Sequence, residues 1–407
     1  LVLFCTAIRC QPRMLNRRLD QLSEYPFQRL AALLDGIEPG QPPIVMSIGE
    51  PQHAVPDLVG TTLAAHGAGW GKYPPIAGTP ELRGTVAEWL TRRYALPAGM
   101  VTPETMILPA SGTREALYMI TQVIVDEGAT PPPLALMPNP FYQVYLGGAL
   151  MAGAEPLLVD ASAASGFLPD YAALPPEVLD RAAVVTLCSP ANPQGAVASL
   201  ETWKTLITLA RRHDFVVLAD ECYSEIYADT PPPGALEACA ALGGSVDNVL
   251  VFNSLSKRSS VPGLRSGFVA GDPVLIDRFR RLRAYAAAGM PFPVQAVSAA
   301  LWSDEAHAAE NRRLYQDKVA DAARILGIEA PPGGFFLWLP VPDGEAFTRR
   351  LWAEEGVKVL PGAYLARTAA DGTNIGAGTV RVALVHDRAT TARALARIAA
   401  CRHREGI

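Results

Sequence analysis

The stretch NVLVFNSLSKRSSVPGLRSGFVAG, residues 248–271, holds two apolar runs of strand length on either side of a turn rich in serine. The runs 248–253 and 266–271 read as strands because they are short, β-branched or aromatic, and bounded by turn residues. Lys257 lies between them, with Ser254 and Ser256 before it and Arg265 after it. Upstream the same pattern repeats. MILPA (106–110), PLALM (133–137), AVVTLC (183–188) and FVVLAD (215–220) alternate with helix-length segments, as in a mainly parallel sheet with crossover helices. Polar residues begin where several runs end: Ser111 and Gly112, Asn192, Asp220, Ser254. In an open α/β sheet ligands bind beyond the carboxyl ends of the strands, so these residues are expected to meet in one crevice.

Composition narrows the partner. With 407 residues the chain exceeds the size of one ordinary core, and 49% hydrophobic with 18% charged residues is a globular balance. No apolar stretch is long enough for a membrane span. A formal charge of -5 without a Lys/Arg block argues against a nucleic-acid or anionic-membrane surface and for a small-molecule partner. The six cysteines have neither CxxC nor metal-ligand spacing, so reduced thiols, no metal and a cytoplasmic setting are expected. Residues 1–13, ahead of Met14, lack a basic start and a cleavage site and are expected to be an unstructured extension.

A lysine whose environment favours the neutral amine attacks carbonyls and forms a Schiff base. Hydroxyls and an arginine beside it suit a phosphate-bearing aldehyde, with Ser254, Ser256 and Arg265 as phosphate donors; pyridoxal phosphate is such an aldehyde. A solvated turn with a surface lysine is the plain alternative, and the companions weigh against it. In ASGTREALYMI (110–120), Gly112, Thr113 and Arg114 open an apolar-periodic helix, where backbone N–H groups attract phosphate, although such residues also serve as caps. LADECY (218–223) ends a strand on Asp220, a carboxylate able to keep a pyridine nitrogen protonated, with Tyr223 close by for the ring oxygen. SPANPQGAV (189–197) offers the Asn192 amide to the same oxygen, and NPFYQVY (139–145) offers the Tyr142 ring for stacking.

These motifs, in this order, resemble the class I and II aminotransferases of the type I pyridoxal-phosphate fold, over the chain from about Met14 onward. The resemblance implies a large domain with a mainly parallel sheet and a smaller α+β domain. It implies that Lys257 holds pyridoxal 5'-phosphate as a Schiff base, that Asp220 pairs with the ring nitrogen, that Tyr223 and Asn192 meet the ring oxygen, and that Tyr142 stacks. Arg381 in TVRVALV (379–385) would take the substrate α-carboxylate, approached by the Gly49 backbone in SIGEP (47–51) and by Asn192. Tyr73 in KYPPIAGTPELR (72–83) would reach the phosphate of a neighbouring subunit, which implies a homodimer.

EYPFQRLAALL (24–34), residues 255–272 and GGFFLWLP (333–340) further resemble the bacterial succinyldiaminopimelate aminotransferases, which implies exchange between N-succinyl-LL-2,6-diaminopimelate and 2-oxoglutarate in lysine biosynthesis. Gln194 and Ser266 depart from the wider family. Arg17, Arg18, Arg29 and Arg258 are candidates for distal substrate carboxylates, and a solvated face is the better reading for the first two. His386 is expected to be structural. Expected divisions are an arm at 14–50 joining the small domain, a large cofactor-binding domain at 51–293 and a small domain at 294–407. An aminotransferase for aspartate or aromatic amino acids and a cysteine-conjugate β-lyase remain alternatives; a regulator would need a basic DNA-binding domain that the segment before Gly49 does not supply.

Overall fold

A computed structural model describes residues 15–22 and 24–407; the expected extension at 1–13 and Met14 lie outside them. The apolar runs form a seven-stranded sheet in the order 107–110, 267–271, 249–254, 216–220, 182–188, 134–139, 155–160. Strand Gly267–Gly271 is antiparallel to both neighbours, and the remaining pairings are parallel. The central strands Val216–Asp220 and Val249–Ser254 are buried at every position because both faces are covered. Val217 and Ala219 enter one core cluster while Val216 and Leu218 enter the other, and Val251 and Phe252 divide in the same way. Strand Glu155–Asp160 has no counterpart among the runs read from the sequence. It is the sheet edge, half exposed, and Pro156 is tolerated there because one side of an edge strand has no ladder to break.

A second unit is built on an antiparallel sheet in the order 360–361, 379–383, 336–340. Helices Ala306–Leu326, Gly344–Glu355 and Arg388–Arg404 close its core through Val319, Phe347, Leu351, Leu395 and Ile398. The segment before the large unit belongs with it: Ile44–Val45 pairs with Val357–Lys358, and Leu30 and Leu34 pack with Trp352 and Tyr364.

Helix Phe292–Ser303, which a boundary at 294 assigns to the small domain, instead buries Val297, Leu301 and Trp302 with Trp89 and Phe268 in the large-sheet core. We therefore place the boundary after Ser303, because that is where the apolar face of this helix finds its partners.

Candidate active site

The C-terminal ends of the strands deliver the expected residues to one cavity of about 680 Å³. Its wall includes Thr113, Tyr142, Asn192, Asp220 and Tyr223 from the large sheet, and Ser254, Ser256, Lys257 and Arg265 from the turn. Gly49 comes from the N-terminal segment and Arg381 from the small sheet. Gly112 stands just behind, with φ +87°, and a Cβ there would collide with the Arg265 guanidinium. Close approach of turn and arginine therefore requires glycine.

The residues fit pyridoxal phosphate. Asp220 is buried, its carboxylate accepts from the Tyr145 hydroxyl at 2.5 Å and from the Cys222 N–H at 3.3 Å, and no cation among the described residues answers its charge. Burial pushes its pKa up, so a protonated ring nitrogen is the partner that this carboxylate lacks. Beside it, the Ser254 and Ser256 hydroxyls lie 3.0 Å apart, with Arg265 and the start of helix Thr113–Ile124 completing a set of phosphate donors. Lys257 sits on the short helix Leu255–Arg258, capped by Ser254, and its amine donates to the Gly49 carbonyl.

Burial is the main reason why the Lys257 amine is lowered to about 8, with the Arg381 and Arg265 charges acting in the same direction. Only the neutral amine attacks a carbonyl. Cofactor uptake by the apoprotein should therefore quicken about tenfold per pH unit below about 8 and level off above it. Stopped-flow growth of the visible band measures this, and a flat profile between pH 6 and 9 would contradict it.

Arg381 is 5% exposed, and burial lowers it to about 10. It donates to Asn192 Oδ1 at 3.1 Å and to the Ser47 carbonyl at 2.8 Å, lies 4.4 Å from the Phe336 ring centroid, and keeps a buried Nε without a partner. A carboxylate would satisfy that nitrogen. Asn192 commits its oxygen to Arg381, so only its Nδ2 remains as a donor. A Cβ at Gly49 would collide with Phe336, which explains the glycine beside this pocket.

Some expectations change. The Arg114 backbone lies at the start of helix Thr113–Ile124 as expected, and its side chain gives Nε to the Tyr142 hydroxyl at 2.7 Å and Nη2 to that of Tyr25 at 3.4 Å, contacts that the sequence did not suggest. Of the candidate distal cations, Arg18 pairs with Glu127 at 3.3 Å and Arg29 with Glu345 at 3.9 Å. Arg258 is buried against Trp89 and Trp302 and paired with Glu305 at 2.9 Å. None of these, nor Arg17, lines the cavity. His386 Nε2 donates to the Val45 carbonyl at 2.8 Å. Tyr73 is fully exposed and does not line the cavity of its own chain. Tyr145, which holds Asp220, was not read from the sequence, where nothing but its place three residues after Tyr142 marks it. Among the described residues no cluster could hold a metal ion, and no helix is long and apolar enough to cross a membrane.

Comparison with known proteins agrees with this geometry. The profile of the family "Aminotransferase class I and II" matches residues 41–398. A crystal structure of an aminotransferase from Neisseria meningitidis superimposes with a TM-score of 0.90 at 43% identity, covering 95% of this chain and 99% of that one. An LL-diaminopimelate aminotransferase of Dehalococcoides mccartyi is 32% identical over 361 residues, 86% of this chain and 90% of its own length. The 4-dedimethylamino-4-oxo-anhydrotetracycline transaminase OxyQ of Streptomyces rimosus is 33% identical over 362 residues, 85% and 92% of the two chains. The chain thus belongs to the class I and II aminotransferases, pyridoxal-phosphate-dependent enzymes of the type I fold.

Proposed function

We propose that the protein exchanges an amino group between N-succinyl-LL-2,6-diaminopimelate and 2-oxoglutarate, in the synthesis of diaminopimelate and lysine. The observation that carries this reading is the presence, besides Arg265 of the proposed phosphate set, of two further guanidinium groups in the same cavity, Arg381 deep in its wall and Arg114 between Tyr25 and Tyr142. The first suits the α-carboxylate. The second suits a carboxylate at the far end, where the sequence had suggested other arginines.

Bound in this cavity, pyridoxal phosphate supplies an aldehyde that takes up the amino group and a ring that receives the electron pair left at the substrate α-carbon. In the proposed roles Arg381 orients the substrate through a bidentate pair. The Lys257 amine would take up and return the proton at the substrate α-carbon. Asp220 keeps the ring nitrogen protonated. Tyr223 and the Asn192 amide would donate to the ring oxygen, and Tyr142 would stack against the ring. We also propose a homodimer in which Tyr73 serves the neighbouring subunit.

LL-diaminopimelate itself is a second reading, favoured by the Dehalococcoides relative and by Glu50, which lines the cavity and would answer a free distal ammonium. Succinylation removes that positive charge and adds a carboxylate for Arg114. The test is the visible spectrum of the holoenzyme titrated separately with glutamate, N-succinyl-LL-diaminopimelate, LL-diaminopimelate and a cysteine conjugate. Loss of the band with glutamate and the succinylated donor, restored by 2-oxoglutarate, supports the first reading. Response to LL-diaminopimelate alone among the two transfers the assignment to the second, and pyruvate from the conjugate alone makes the enzyme a lyase.

Arg114→Gln should raise KM for the dicarboxylate substrates about 10- to 100-fold while kcat moves little, since a charge-assisted pair contributes roughly 1.5–3 kcal/mol. Steady-state kinetics with 2-oxoglutarate and pyruvate as acceptors measures it; an equal effect on both would remove Arg114 from carboxylate binding.

A further inference from the structure

Behind Lys257 a buried chain of polar side chains runs from the small unit to the backbone of the lysine. Asn311 Nδ2, on helix Ala306–Leu326, donates to the Lys257 carbonyl at 2.9 Å and to the Arg258 carbonyl at 3.0 Å. Its oxygen is then an acceptor, and it faces His53 Nδ1 at 2.7 Å. His53 Nδ1 must therefore carry a hydrogen, which leaves Nε2 as the lone pair of a neutral ring. That nitrogen is 2.8 Å from Lys318 Nζ, which also donates to the His386 carbonyl at 2.9 Å. The donors run in one direction only, from Lys318 through His53 and Asn311 to Lys257.

We propose that Lys318, His53 and Asn311 form a positioning chain that fixes the backbone of Lys257 while Gly49 fixes its amine. Both holds come from one short segment. Gly49 accepts from the Lys257 amine and His53 reaches its carbonyl through Asn311, while Ser47, just upstream, accepts from Arg381. The segment thus bears on the lysine at both ends, at the amine directly and at the carbonyl through Asn311, and it also touches the arginine proposed for the substrate carboxylate.

Packing alone does not account for this chain. Lys318 is 1% exposed, and its partners are a ring nitrogen and a carbonyl rather than a carboxylate. An apolar side chain of similar volume would usually be as stable or more so, and burial lowers this amine to about 7, a perturbation of the kind that gathers at functional sites. Its amine lies 4.2 Å from the Tyr315 ring centroid, Tyr315 stacks on Phe335 at 5.0 Å, and Phe335 lies 5.2 Å from the Lys257 amine. The charged groups bearing on the pair are Glu310 toward His53 and Asp387 toward Lys318. Burial first, and the Lys318 charge second, lower the His53 pKa and keep the ring neutral, as the direction of the chain requires.

The proposal rests on the family reaction and not on the substrate, so it is tested with any amino donor the enzyme accepts. Lys318→Met should lower kcat about tenfold or more with KM for the donor changed less than about twofold. It should also shift the pH midpoint at which a small anhydride acylates Lys257 in the apoprotein, followed by mass spectrometry of the Lys257 peptide. His53→Gln keeps an acceptor for Lys318 and a donor for Asn311 and should retain most of the rate, whereas His53→Leu should match Lys318→Met. Equal losses in the Gln and Leu variants would overturn the proposal. So would a lowered melting temperature with kcat and the acylation midpoint unchanged. If the variants do not fold, the wild-type apoprotein decides: ring nitrogen-15 shifts must give His53 as the Nδ1–H tautomer, and the Nε2–H tautomer reverses the chain and refutes it.

Discussion

Lys257→Ala should reduce transamination by at least about 10⁴-fold, the upper range for a general acid–base group, because the same substitution also removes the amine proposed to hold the cofactor. Arg381, Asp220 and Tyr223 are untouched by the change, so substrate and cofactor should still bind. The phosphate donors Ser254, Ser256 and Arg265 lie outside the deleted side chain, and the variant should retain cofactor that dialysis removes and borohydride fails to fix. Folding should be little affected, since the lost amine donates to one carbonyl, that of Gly49, at the wall of an open cavity. Single-turnover kinetics with glutamate and the absorption spectrum before and after dialysis measure both parts. A variant that turns over within tenfold of the wild type would remove Lys257 from the chemistry.

The features that made Lys257 conspicuous in the sequence are local ones, and they mark what a sequence displays. Strand ends, turn residues and a lysine among serines lie within a few positions of one another, so the large sheet and the meeting of Ser254, Ser256, Lys257 and Arg265 at one cavity could be read from spacing. Contacts between distant segments could not. Tyr145 meets Asp220 across 75 positions, and a tyrosine in a buried helix looks like any core aromatic until the fold brings the carboxylate to it. Arg258 and Arg114 show the same limit from the other side. Arg258 stands beside the lysine and carries the right charge, yet is drawn into the Trp89 and Trp302 cluster, while the side chain of Arg114, read only for its backbone, reaches Tyr142 and Tyr25 in the cavity. The domain boundary shifted for a related reason: helix Phe292–Ser303 is apolar on most sides, and periodicity does not say which unit supplies its partners.

Asp220→Asn is expected to cost roughly 10²–10³ in kcat, the range seen when one preorganised electrostatic partner of a reacting group is removed. The amide oxygen can still accept from the Tyr145 hydroxyl, while its NH2 faces the Cys222 N–H, so the charge and one 3.3 Å contact are lost. The apoprotein should become no less stable, because a buried carboxylate with no cation among the described residues is removed. The holoenzyme should gain less stability from cofactor than the wild type does, since that gain follows affinity. The pH dependence gives the more selective test. In the apoprotein, burial raises the Asp220 pKa; pairing with a protonated ring nitrogen lowers it. Cofactor affinity in the wild type should therefore be full above the raised pKa and fall as pH drops through it, where binding must first expel a proton from the carboxyl group. Asn has no such proton, so the acid limb should vanish from the variant. Equilibrium dialysis of cofactor across pH 4 to 8 measures it for both proteins. An acid limb of equal depth in the two would mean that a different group carries the charge opposite the ring nitrogen, and the role given to Asp220 would pass to that group.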